Sequence, residues 1–317
     1  MIKKLSLLVS AFSLVSLANA KSQNLYSKGS CFQNLDGLSV EVGGQPESVF
    51  IYKDKILASN IGEGPLTQEN DGYISLLNKK GELIEKKWLP KEGQQLDSPL
   101  GMAVQNDILY VADLNKVAAF DLKTEEQLPS IDFTDLGATF LNDIVAADAP
   151  YIYVSATNIK KVFRVNVESQ VIEEIAVDNP DILVPNGLAW SKKDKVLYIA
   201  QNKAHTLPTD GQPNGSVVTL DSLDSHKVIA KSDFFGQFID GIALTWKGYV
   251  VISDWKNGTG NGDLFTLNQN LEVKKQCAFP SNGFADFSVG YFDRFIVSPD
   301  LLSGTIVFSK LGCDSTM

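Results

Sequence analysis

Six segments of this 317-residue chain repeat one pattern, and that repeat limits the fold more than any other feature. "ESVFIYKDKILASN" begins at Glu47, "LGMAVQNDILYVAD" at Leu100 and "NDIVAADAPYIYVSA" at Asn142. "NGLAWSKKDKVLYIAQ" begins at Asn186, "DGIALTWKGYVVISD" at Asp240 and "ADFSVGYFDRFIVSPD" at Ala285. Each holds a short β-rich run, a polar turn and a second run such as Ile-Leu-Tyr-Val-Ala. The starts lie roughly 40 to 55 residues apart, the spacing of propeller blades. Further short strands follow each pair, among them "GYISLLN" at 72–78, "KVFRVNV" at 161–167 and "GTIVFSK" at 304–310. Their alternation of apolar and polar residues predicts half-buried antiparallel strands. The expected architecture is all-β: a single six-bladed β-propeller with four-stranded antiparallel blades around a central channel. A sandwich would also supply many strands, but not six similar openings at this period. A ring must also close, because an unpaired edge invites aggregation. The β-prone segment "DGLSVEV", 36–42, is expected to complete the last blade, around 285–310.

The chain opens "MIKKLSLLVSAFSLVSLANA". Two lysines, an apolar run and the small-residue end Ala18-Asn19-Ala20 have the layout of a secretory signal peptide. The run is shorter than the roughly 18 apolar residues of a membrane span. The expected organisation is therefore a signal peptide at 1–20 and a propeller domain at 21–317, located in the periplasm or secreted. With 38 acidic and 28 basic residues the formal charge is −10. Removing 1–20 takes away Lys3 and Lys4 and gives −12. That balance argues against nucleic acid and anionic membranes as partners. It suits cations and neutral small molecules. Of the three cysteines, Cys31 and Cys313 are the expected disulfide if the chain ends meet, with Cys277 left as the thiol; a Cys277–Cys313 pair is the alternative. Two histidines and no CxxC argue against a Cys/His zinc site.

In a propeller the innermost strands line the channel, so equivalent positions of different blades converge on the axis. Here those positions read Glu47, Leu100-Gly101, Asn142-Asp143, Asn186-Gly187, Asp240-Gly241 and Asp286. Carboxylates and amides around one axis make an all-oxygen site, which suits Ca²⁺ or another hard divalent cation. Any one Asn-Gly or Asp-Gly is by itself an ordinary turn dipeptide, since both residues tolerate positive φ. Recurrence at one place in several blades is what points to a ligand set. His205 reads as an exposed loop residue, and Asp113 and Asp254 read as turn caps at the ends of strands. No GxSxG elbow and no Walker-A loop is present.

"PNGLAWSKKDKVLYIA", "IDGIALTWKGYVVISD" and "LNDIVAADAPYIYVS" resemble the gluconolactonase–regucalcin family of six-bladed propellers, over roughly residues 44–310. The resemblance implies a divalent cation held by Glu47, Asn186 and Asp240. It places Asn142 towards the substrate or at a further ligand position, and implies metal-assisted hydrolysis of a lactone or ester. Asp240 is then the carboxylate that helps deprotonate a water. One departure stands out: where the family's sugar lactonases carry an arginine, this chain has Phe140. An aromatic ring cannot grip a polyol or carboxylate as a guanidinium does. The expected ligand is therefore a small neutral or apolar lactone or ester, with Phe140 beside it. The loop "NIGEGPLTQENDG", 60–72, is placed to cover the channel mouth. The alternative reading is a non-catalytic propeller with a structural calcium, acting as a ligand- or protein-binding module.

Overall fold

The computed structural model describes residues 35–62, 66–206, 208, 211–221, 226–256, 260–290 and 294–311. Within them the chain forms six four-stranded antiparallel sheets arranged as a β-propeller, in agreement with the repeat. Blades one to five are each wound in chain order from the inside out. Their innermost strands are Pro46–Tyr52, Pro99–Gln105, Leu141–Ala146, Val184–Ser191 and Ile239–Leu244. Blade six has Ser288–Val289 innermost, then Phe295–Asp300 and Thr305–Lys310.

The outermost strand of blade six comes from the other end of the chain. Ser39–Glu41 pairs antiparallel with Thr305–Lys310, setting Ser39 opposite Val307 and Glu41 opposite Thr305. Segment 36–42 therefore closes the ring as expected, and Val42, fully buried, packs with Ile306 and Phe308.

The core consists of wedges between blades. One apolar cluster joins blades one and two through Trp88, Leu96 and Phe120, and another joins blades two and three through Phe133, Leu141 and Phe163. Comparable clusters fill the remaining junctions, including the one that joins blade six to blade one. This corrects one expectation. Some third strands are more than half-buried: Tyr73–Asn78 and Gly215–Asp221 are buried at all but their last residue, whereas Lys161–Asn166 and Thr305–Lys310 each keep three positions partly or fully exposed. Each blade is covered on both faces by its neighbours, so exposure is greatest on outermost strands such as Val171–Ile175.

Residues 1–34 and 312–317 lie outside the described residues, so the expected signal peptide, Cys31 and Cys313 do too. Cys277 lies on the outer strand Val273–Ala278 of blade five, and both of the cysteines it could pair with lie outside the described residues. Among the described residues no helix is long and apolar enough to cross a membrane.

Candidate metal centre in the central channel

The polar residues at the openings of blades one to five do not sit in turns. In blades one to five they lie within the innermost strands, at β-bulges, whereas Asp286 of blade six stands in a bend just before Ser288–Val289. The register against the second strand slips between Pro46 and Ser48, Pro99 and Met102, Leu141 and Ile144, Pro185 and Leu188, and Ile239 and Ile242. The residues skipped are Glu47, Leu100-Gly101, Asn142-Asp143, Asn186-Gly187 and Asp240-Gly241. A bulge leaves residues out of the ladder and re-aims their side chains, which is how a strand edge turns a polar group into the channel. The glycines are needed for a different reason from the one their dipeptides suggest. Gly241 does not have positive φ, but a Cβ there would lie 2.6 Å from Asp286 Oδ1. Glycine at this position lets one blade's backbone press against the next blade's carboxylate.

Three second-strand serines hold the bulges. Ser155 Oγ accepts from the backbone N–H of Asp143 (2.9 Å) and donates to the carbonyl of Asn186 in the next blade (2.7 Å). Ser253 Oγ does the same between Gly241 N–H (2.8 Å) and the Ala285 carbonyl (2.7 Å). Ser59 accepts from Ser48 N–H (3.0 Å). Each hydroxyl thus supplies the hydrogen bond that its bulge removed from the ladder. Side chains at the ends of second strands also reach the next blade. The Asn202 amide bonds both the N–H and the carbonyl of Ile239, next to Asp240, and Thr157 donates to the carbonyl of Pro185, next to Asn186.

The structure brings Glu47, Asn186 and Asp240 together, all buried at 4–6 % exposure. The Asn186 amide hydrogen-bonds the Asp240 carboxylate. That leaves Asn186 Oδ1 as a buried acceptor with no hydrogen bond, and Glu47 Oε2 is in the same position. Leaving such oxygens unpaired is costly, and a bound cation is one way to satisfy them. Asn142 is buried in the adjoining bulge of blade three, beside Asp143. The two remaining channel carboxylates are tied to the scaffold. Asp143 accepts from Ile144 N–H (2.7 Å) and Leu188 N–H (2.6 Å), and Asp286 accepts from the Ser48 hydroxyl. They were visible in the sequence only as the second residue of "ND" and in "AD". Their anchoring role depends on backbone groups of neighbouring strands.

Burial raises the proton affinity of all four carboxylates, and for Glu47, Asp143 and Asp240 repulsion between neighbouring carboxylates adds to it. Burial pushes Glu47 and Asp143 well above the usual range, and their mutual repulsion with Asp240 and Asp286 adds to it. Asp240 is pushed up to about 8 by burial and then by Asp286, against the pull of the Asn186 amide. Asp286 is pushed up to about 6 by burial, opposed by the Ser48 bond. A site that repels its own negative charges in this way is suited to a positive ion. Among the described residues, no three His, Cys, Asp or Glu side chains form a metal-holding group by themselves. A cation here would need the Asn186 amide oxygen as well as Glu47 and Asp240, an oxygen set of the kind hard ions accept.

Phe140 stands one residue ahead of the innermost strand of blade three, Leu141–Ala146. It is half-buried on the rim, next to the blade-two and blade-three cluster and 5.5 Å from the His205 ring. His205 is exposed, as its loop suggested. Asp113 and Asp254 are caps: Asp113 accepts from Asp97 and Ser98 N–H, and Asp254 from Gln237 and Phe238 N–H. The loop after Lys55–Asn60 emerges on the channel's rim and is bonded to blade two through Thr67 and Ser98; residues 63–65 lie outside the described residues.

The family model for the SMP-30/Gluconolactonase/LRE-like region matches residues 61–282. No curated protein matches the chain. Among solved structures, a nidogen/laminin complex aligns over 74 % of this chain and 80 % of its own, at 14 % identity and TM-score 0.56. A hydrazine synthase of Kuenenia stuttgartiensis aligns over 91 % and 100 %, at 12 % identity and 0.56. A virginiamycin B lyase from Staphylococcus aureus aligns over 88 % and 89 %, at 12 % identity and 0.55. At these identities the likeness is one of fold.

Proposed function

Since the chain belongs to the SMP-30/gluconolactonase/LRE-like family, we propose that its channel holds a hard divalent cation, calcium first, and that it hydrolyses neutral lactones or esters. The observation carrying this reading is the pair of buried, unbonded oxygens, Glu47 Oε2 and Asn186 Oδ1, beside the Asp240 carboxylate. Glu47, Asn186 and Asp240 would hold the ion, with Asn142 at a further ligand position or towards the substrate. When bound, such an ion polarises a carbonyl and stabilises the negative charge that develops on it. The residues do the rest. Asp240, whose proton affinity is high in this buried setting, takes a proton from the attacking water. The Asn142 amide orients the carbonyl, and Asn186 holds Asp240 in place through its amide hydrogens. Buried carboxylates disfavour anionic substrates, and Phe140 at the rim offers no charge to a polyol acid. The sequence layout supports export to the periplasm or secretion, with residues 1–20 removed.

The test is hydrolysis across a lactone and aryl-ester panel by the protein with calcium, with excess chelator, and as Asp240→Ala. Turnover lost with chelator and lost on substitution is the expected result. The alternative, a non-catalytic propeller with a structural calcium, is favoured by the anchoring of Asp143 and Asp286 to the scaffold. It takes over if no substrate turns over while calcium still raises the melting temperature.

A further inference from the structure

On the face of the ring where the innermost strands begin, four rings from three consecutive blades form a continuous arc. Phe140 of blade three lies 5.5 Å from His205, on the loop after the second strand of blade four. His205 lies 6.3 Å from Phe238 of blade five, and Phe238 lies 5.9 Å from Trp255. The 67° and 85° pairs are edge-to-face, a geometry in which aromatic rings attract, and the 53° pair between them is tilted. The same three blades supply Asn142, Asn186 and Asp240. Phe140 stands two residues before Asn142, and Phe238 two residues before Asp240.

The arc is held in shape by the fold. Phe140 N–H donates to Asn158 (3.1 Å) and its carbonyl accepts from Thr157 (3.0 Å). Phe238 N–H donates to Asp254 (2.9 Å), and Trp255 packs against the blade-five and blade-six cluster. Phe140, Phe238 and Trp255 are each only half-buried, so apolar area remains on the rim. Trp255 also carries a buried indole N–H with no acceptor, a donor that a ligand oxygen would satisfy. The lysines nearest in sequence are committed elsewhere. Lys203 donates to the Pro213 carbonyl and lies over the Phe234 ring, and Lys256 pairs with Asp263 at 2.8 Å. A rim of this composition above buried carboxylates suits a neutral ligand with a flat apolar ring.

We infer that the Phe140–His205–Phe238–Trp255 arc is a ring-binding subsite that selects aryl esters and aryl-fused lactones. The inference rests on the proposed reading of the channel as the place where the carbonyl lies. Dihydrocoumarin and δ-valerolactone, an aryl-fused and an aliphatic lactone, are hydrolysed in parallel with calcium. Their unreactive lactam counterparts, 3,4-dihydroquinolin-2-one and 2-piperidone, are titrated by calorimetry. Phe140→Ala and Phe238→Ala are each expected to lower the aryl-over-aliphatic ratio about tenfold, through KM and through lactam affinity. Phe140→Tyr and Phe238→Tyr should retain the preference, as should Trp246→Ala, which alters an exposed ring at the opposite end of blade five. Retention of the calcium-induced rise in melting temperature shows that a variant is folded and keeps its ion site. Aryl-selective lactam binding that these alanine variants abolish, without hydrolysis of either lactone, removes the hydrolase reading and leaves the subsite standing. Unchanged ratios in both alanine variants, or no lactam binding with no hydrolysis, overturn the subsite.

Discussion

Ser155 does more for the channel than its size suggests. Its one hydroxyl satisfies a bulge N–H in its own blade and a carbonyl beside Asn186 in the next. Ser155→Ala leaves both groups buried and unpaired. It is expected to cost about 1–3 kcal/mol in urea unfolding, with an unchanged denaturant slope. A loss well under that would mean the two backbone groups find other partners. At this scale the sequence was informative about Glu47, Asn186 and Asp240, because recurrence marks them. It was misleading about the glycines beside them. Asn-Gly and Asp-Gly read as turns with positive φ, whereas Gly241 serves a close approach to Asp286 across a blade boundary. Neither a clash with a residue 45 positions away nor a serine's second hydrogen bond leaves a local trace in the sequence.

Among the elements, the short strand Ser39–Glu41 is the one on which closure depends. It covers the edge of Thr305–Lys310, and Val42 behind it is fully buried between the first and last blades. Val42→Ala removes two methyl groups from that wedge and is expected to cost about 2 kcal/mol. The loss should appear in a single unfolding transition, since blades one and six each lose a packed neighbour when the ring opens. A separate early transition, with the bulk of the protein unaffected, would show that the closing strand is not part of the cooperative unit. Its pairing was legible, because 36–42 is β-prone and a ring needs a last strand. The near-complete burial of the third strands Tyr73–Asn78 and Gly215–Asp221 was not. Period-two alternation tells which face is apolar, and blades stacked on both sides cover the polar face as well.

For the molecule as a whole, the charge in the channel sets a pH dependence. Asp240 ionises near its ordinary 3.8 when unfolded and at about 8 when folded. Between those values the folded form binds the extra proton, so stability falls as pH rises from about 4 to about 8. Asp286, raised to about 6, adds to the slope at the lower end of that window. Chelator-treated protein should therefore melt at lower temperature at pH 8 than at pH 5. Calcium should flatten this trend and give its largest stabilisation at the higher pH, because the ion favours the ionised carboxylates. A chelated protein whose melting temperature is level across that range would contradict the raised proton affinity of these buried carboxylates.

The sequence by itself determined the number of blades, the closing strand and the family, because each leaves a repeated or terminal pattern along the chain. It also marked Glu47, Asn142, Asn186 and Asp240 as equivalent positions, since one opening recurs from blade to blade. Only the tertiary structure decided that those residues occupy bulges, that serines latch them, and that Phe140 meets His205, Phe238 and Trp255 on the rim. These features are contacts between blades, set by how six sheets twist and pack around an axis. Such contacts join residues tens of positions apart, where no periodicity in the chain records them.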